Sequence, residues 1–154
     1  MFTKAPFTGL SPRSNPPFVS PGSPRGELAA RILAMPADTN PAGDIFGGWI
    51  MSLMDAAGAI TVARCVSGRA VTVAVTDMAF LQPVKIGDVV CCYTEPVRMG
   101  QTSLTLHVEV WVLRQGRGER VKVTEAEFTF VALDETGKPR PIPRNMPAEA
   151  CHVG

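Results

Sequence analysis

Histidine is almost missing from this chain of 154 residues: only His107 and His152 occur. A serine–histidine–aspartate relay needs an imidazole beside its nucleophile, and no G-x-S-x-G elbow is present to present a serine. His107 falls within a strand-like stretch and His152 near the C-terminal end, so that chemistry is disfavoured. Walker A and G-x-G-x-x-G loops are also missing, which removes the common nucleotide cradles. The four cysteines, Cys65, Cys91, Cys92 and Cys151, make no C-x-x-C pair. Adjacent Cys91 and Cys92 would point to opposite faces of a strand. Neither a zinc site nor a disulfide framework is expected, and no other metal ligands cluster. Thiols used as small apolar side chains fit a reducing compartment, so a cytoplasmic location is expected. The first residues lack the apolar core of a signal peptide.

One-sided charge is missing too. Lys plus Arg number 15 against 14 for Asp plus Glu, a net charge of +1. That balance gives no electrostatic case for nucleic acid or for an anionic membrane surface. What remains is a composition of 45% hydrophobic and 19% charged residues, enough for one globular domain with a proper core.

Residues 1–24 hold six of the 14 prolines without periodicity and read as a flexible tail. The domain is expected over 25–144, followed by a short C-terminal tail over 145–154. GELAARILAM, from Gly26, suits a strand or a short helix. PADTNPAG (36–43) is dense in turn formers, with Asn40–Pro41 fixing a bend. An apolar helix follows over roughly 46–66. Its length approaches a membrane span, but Asp55 at its centre, two glycines at its start and the strands behind it favour a buried soluble helix. Four strand-like stretches complete the chain: 69–81, 89–98, 102–113 and 121–133. In the third, Leu104, Leu106, Val108, Val110 and Val112 face one way, and Ser103, Thr105, His107, Glu109 and Trp111 the other. A strand meander with one covering helix implies an α+β fold on an antiparallel sheet. The helix is apolar on more than one face, so a second subunit is expected to cover it.

Asp55 is the only charged residue between Phe46 and Ala63. An unpaired buried carboxylate costs several kcal/mol or takes up a proton. Asp55 therefore either accepts hydrogen bonds from a polar strand position or serves as a general base or nucleophile. Gly47 and Gly48 open the helix, where the first N–H groups are unsatisfied and carry the positive dipole end. Without Cβ atoms, that end can admit a substrate oxygen as an oxyanion site, or simply pack closely on a sheet. Asp44 is better placed to cap the helix than to react. Gly47 and Asp55 are about 12 Å apart along the axis at roughly 1.5 Å per residue, too far to serve one reacting centre. Two antiparallel copies across a dimer axis would bring Asp55 of one beside Gly47 of the other. Asn40 could position the carboxylate or a water, and Thr72, early in the next strand, could reach the site.

The run LAMPADTNPAGDIFGGWIMSLMDAAGAI, with VTVAVTDMAFLQPVKIGDVVCCY, VEVWV and TEAEFTFVALDETGKPRPIP, resembles the hot-dog-fold acyl-CoA thioesterases, and among them the YciA-like branch. The resemblance spans about residues 26–144. It implies a hot-dog fold, a five-stranded antiparallel sheet wrapped around one long helix, with dimers often assembled as trimers of dimers. It places the catalytic carboxylate on Asp55, the oxyanion glycine on Gly47 with Gly48 beside it, and the loop asparagine on Asn40. The implied reaction is hydrolysis of acyl-CoA to free acid and CoA, with CoA part of the substrate and no separate cofactor. Arg69, Lys85 and Arg98 flank strand ends and are candidates for the CoA phosphates. A hot-dog enoyl-thioester hydratase is the less favoured enzyme, because no histidine lies between Met1 and Leu106. A non-catalytic acyl-CoA sensor would keep the pocket but has no need of Asp55, Gly47 and Asn40 together.

Overall fold

The computed structural model describes residues 22–118, 120–144 and Cys151. Apart from residues 22–24 and Cys151, the tails expected over 1–24 and 145–154 lie outside the described residues. In chain order the elements are β1 (Glu27–Leu33), α1 (Gly47–Val66), β2 (Ala70–Phe80), β3 (Val89–Met99), β4 (Ser103–Leu113) and β5 (Arg120–Ala132). Short 3-10 turns occupy Pro36–Asp38 and Arg114–Gly116.

The helix starts after Phe46 with no side-chain cap. It stops where Ser67 enters the left-handed region at φ 50° and Gly68 follows, a conformation that turns the chain out of the helix. Segment 27–33, ambiguous by pattern, is a strand because β3 supplies its partners: Arg31 lies opposite Cys91 and Ile32 opposite Val90. Pairing outweighs a weak local preference here.

All neighbouring strands are antiparallel, in the order β1-β3-β4-β5-β2. The expected run of four strands joined in sequence holds only for β3, β4 and β5. β2 pairs with β5 at the far edge, Thr72 opposite Phe130 and Val75 opposite Phe128. The connection from β2 to β3 therefore crosses about 14 Å of sheet, three strand spacings. Periodicity identifies a strand but not its neighbour, which is why the sequence pattern missed this crossover.

The apolar face of β4 packs as its alternation implies. Leu104, Leu106, Val108 and Val110 share one core with Ile50, Met54, Ala57 and Val62 of α1 and with Phe128 and Phe130 of β5. Gly58 sets how closely the helix lies on the sheet, since a Cβ there would stand 2.7 Å from the Phe130 ring. The polar face of β4 is not open to water as a two-faced strand would suggest: Thr105, Glu109 and Trp111 are each 2% exposed. Its burial is made tolerable by hydrogen bonds. Glu109 receives Trp111 Nε1 at 2.8 Å, the Arg25 N–H at 3.1 Å and Lys122 Nζ at 3.1 Å, and faces His107 Nε2 at 3.1 Å. Burial works against ionisation of Glu109, but these bonds together outweigh it and hold its pKa below the ordinary glutamate value.

Large apolar side chains remain exposed on the helix and on the sheet, with Ile32, Leu33 and Phe46 among them. Met51 and Ile60 of α1 are 40% and 45% exposed, and Val71, Val73 and Val75 of the β2 edge 42%, 56% and 40%. An edge strand of that character leaves backbone donors and acceptors open to another strand.

Two outcomes follow for stability. Gly58→Val should lower stability by about 1–3 kcal/mol through overpacking against Phe130, read as a fall in Tm; an unchanged Tm would show that the helix can move away freely. The Glu109 pKa is lowered on folding, so its contribution is complete above the unfolded pKa and fades as pH falls through the folded one. The Tm gap between wild type and Glu109→Gln should therefore be largest near neutrality and shrink as the pH is taken below the ordinary glutamate range.

Candidate active site

The loop between β1 and α1 is built to hold the helix end. Ile45 N–H donates to the Val84 carbonyl at 2.9 Å and Phe46 N–H to the Asp38 carbonyl at 3.0 Å, while Thr39 bridges Ile45. Within the loop, the Asn40 side-chain oxygen accepts the N–H groups of Ala42 at 3.0 Å and Asp44 at 3.1 Å. Asn40 is thus a turn former, and its amide NH2 remains a free donor among the described residues. Both readings of Asn40 are compatible in one side chain.

Asp44 does not cap the helix. Its carboxylate is buried and ion-paired with Lys85 from the β2–β3 connection. The cap expected from its position upstream of the helix is replaced by a partner 41 residues away, which no local pattern could reveal. The first helical N–H groups with acceptors are those of Trp49 and Ile50, both to the Phe46 carbonyl at 3.1 and 3.3 Å. Those of Gly47 and Gly48 have no acceptor among the described residues. A Cβ at Gly48 would meet nothing within 4 Å, so close packing within the protomer does not explain that glycine. Gly58, not Gly48, is the glycine that the helix–sheet contact requires.

Asp55 sits half-buried on the flank of α1 between Met51 and Ala59. The Thr72 hydroxyl on β2 donates to its Oδ1 at 2.5 Å. Helix and edge strand together orient one carboxylate oxygen of Asp55. No further side-chain bond to Asp55 is present among the described residues. Asp55 and Thr72 are brought together directly, whereas Gly47 lies two helical turns away on the same helix.

The three cations expected to meet CoA phosphates are scattered within the protomer. Lys85 is engaged by Asp44 beside the helix start. Arg98 reaches back to Thr105 Oγ1 at 3.4 Å. Arg69 follows the opposite, C-terminal end of α1 and is exposed, with no side-chain partner among the described residues. A group that sequence reasoning missed lies on the far face of the sheet, where His107, Glu109 and Glu125 present their donor atoms within 4.8 Å of one another. The Lys122 ammonium already occupies the centre of that group, bonding both Glu109 and Glu125. Glu109 and Glu125 are cross-strand partners; the strand register, unreadable from one sequence, was the only signal for this cluster.

Comparison with known proteins matches residues 42–119 to the thioesterase superfamily model. The acyl-CoA thioester hydrolase YciA of Salmonella typhimurium is 56% identical over 124 residues, covering 79% of this chain and 93% of that protein. YciA of Escherichia coli is 54% identical over 123 residues, covering 78% and 93%. Among solved structures, a hexameric thioesterase from Yersinia pestis shares 54% identity at a TM-score of 0.77, over 80% of this chain and 100% of the other. A hexameric hot-dog-fold thioesterase of Campylobacter jejuni shares 45% at 0.73, over 77% and 91%. With a five-stranded antiparallel sheet around one long helix and these relatives across most of its length, the chain belongs to the thioesterase superfamily, in its hot-dog-fold, YciA-like branch.

Proposed function

We propose that this protein hydrolyses acyl-CoA thioesters to the free carboxylic acid and CoA at sites shared between subunits. The observation that carries the reading is the Thr72–Asp55 hydrogen bond at 2.5 Å, which fixes a carboxylate at the rim of an uncovered apolar surface. A residue needed only for packing would not be a carboxylate, and a merely structural one would be closed off from the open side. The YciA relatives, named for this activity, support the same reaction.

The missing half of the site is the oxyanion donor. Gly47 and Gly48 offer free N–H groups at the positive helix end, but about two turns from the Asp55 of their own chain. Pairing the β2 edges of two protomers would extend the sheet and lay two copies of α1 antiparallel, Asp55 of one toward Gly47 of its partner. Trimers of such dimers fit the hexameric state named for the relatives from Yersinia pestis and Campylobacter jejuni.

In that site the partner's helix-end amides polarise the thioester carbonyl and hold the developing oxyanion. Thr72 fixes Oδ1 of Asp55, so Oδ2 faces the carbonyl carbon. On the general-base route Asp55 takes a proton from a water that the Asn40 amide orients. The tetrahedral intermediate then collapses, the C–S bond breaks, and the CoA sulfur leaves with that proton. On the nucleophilic route Asp55 attacks the carbonyl itself, the C–S bond breaks as the CoA thiolate leaves and takes up a proton, and water opens the resulting anhydride to the free acid and the Asp55 carboxylate. No cofactor is called for on either route. Of the three candidate phosphate ligands, Arg69 is favoured over Arg98 and Lys85 because its guanidinium is not already engaged.

Asp55→Asn should reduce kcat by roughly a hundred- to ten-thousandfold without unfolding the protein, measured by thiol release from a panel of acyl-CoAs. Undiminished turnover would sink the assignment, and binding without turnover in the wild type would favour a sensor. Thr72→Val should lower kcat while leaving KM nearly unchanged. Single turnover in heavy-oxygen water separates the routes, since only direct attack transfers label into Asp55. Val73→Lys on the exposed edge should dissociate the oligomer and abolish activity together; an active monomer would refute the shared site.

A further inference from the structure

A cavity of about 380 Å³ lies away from Asp55, on the face of the sheet opposite α1. Cys91, Tyr93 and Trp111 form an apolar cluster there, separate from the core that holds Val90, Cys92 and Val110. Val89, Cys91, Trp111 and Leu113 contribute apolar or weakly polar walls, and Arg31 and Arg120 are the charged lining groups. Among the described residues no carboxylate lines the cavity. The arginines are held in place by neutral partners: Arg31 Nε donates to Cys91 Sγ at 3.3 Å, and Arg120 Nη1 to the Tyr93 hydroxyl at 3.0 Å. Each guanidinium keeps further N–H donors, and neither is neutralised by an acid in the cavity. The one buried acid nearby, Glu109, is satisfied by Trp111, Lys122, His107 and the Arg25 N–H instead.

Two cations over an apolar floor select an amphiphile with one anionic end. The volume sits toward the small end of ligand cavities, which run from roughly 300 to 1,000 Å³. A guanidinium fork matches a carboxylate in two parallel hydrogen bonds, while the hydrocarbon covers Trp111, Val89 and Leu113. The geometry points to a binding site for medium-chain carboxylates on the outer face of the sheet, formed by Arg31, Arg120 and the Trp111 cluster and distinct from the catalytic site. Its ligand class follows from the cavity alone. That such acids are also what the reaction would release rests on the proposed hydrolase activity, and makes the reaction product itself a candidate occupant.

Binding is read by calorimetric titration of the full-length oligomer with decanoate, without substrate turnover. The affinity should rise on the order of tenfold for each two methylenes from hexanoate to decanoate, as apolar surface is buried. Decanol and inorganic phosphate should each bind far more weakly than decanoate, since each lacks half of the recognised chemistry. Arg31→Met and Arg120→Met should each weaken decanoate binding by about fivefold, the upper range for a partly exposed ion pair. Both should leave acyl-CoA hydrolysis in the absence of decanoate unchanged. Val89→Phe, which fills the cavity without removing a charge, should abolish binding and keeps the test alive if an arginine variant fails to fold. Decanoate binding that survives all three substitutions, equal binding of decanol, or no binding at all would overturn the site. A protein that bound decanoate in this way but did not hydrolyse acyl-CoA would overturn the reaction and leave the site standing.

Discussion

A twenty-residue helix that is apolar around most of its circumference has to be covered on more than one side, and a single five-stranded sheet covers only part of it. Ile50, Met54, Ala57, Val62 and Val66 are buried against the strands, while Met51 and Ile60 are left open. The helix is linked to β2, the edge strand that carries three exposed valines, through the bond from Thr72 to Asp55. Asp55 sits half-buried on the flank of this helix, close enough to β2 to be oriented by Thr72.

Much of this was legible in the sequence because it is periodic. The helix bounds of Gly47–Val66 and the four later strands fall within a few residues of where alternation and turn formers place them. Relations between distant segments were not legible. The same alternating stretch can pair on either side, so the place of β2 beside β5 could not be read from its own residues. Asp44 was assigned to the helix cap because its sequence position permits it, but Lys85 competes for the carboxylate and wins. An ion pair to a buried acid satisfies more of its charge than weak capping of an exposed helix end would. The candidate site was legible in proportion to how local it is. Asp55, Gly47 and Gly48 stand out within one helix, and Thr72, 17 residues on, could be named but not placed.

The outer face of the sheet shows what a periodic reading leaves out. Alternation marks Thr105, His107, Glu109 and Trp111 as the polar side of β4, which ordinarily means the wet side. Burial there depends on whether neighbouring strands supply counter-charges, and β5 does so through Lys122. With Glu109 satisfied from four directions, Trp111 can lie flat in an apolar cluster rather than face water. The pattern recorded the side chains correctly and said nothing of their partners.

The two faces of one sheet are thereby given different work by the same strands. On β3, Cys92 and Thr94 face the helix, where Thr94 shares a hydrogen bond with Thr61 at 2.7 Å, while Cys91 and Tyr93 face the outer cavity. Inward packing fixes the helix, and with it Asp55. Outward packing fixes two arginines that the core could never tolerate unpaired.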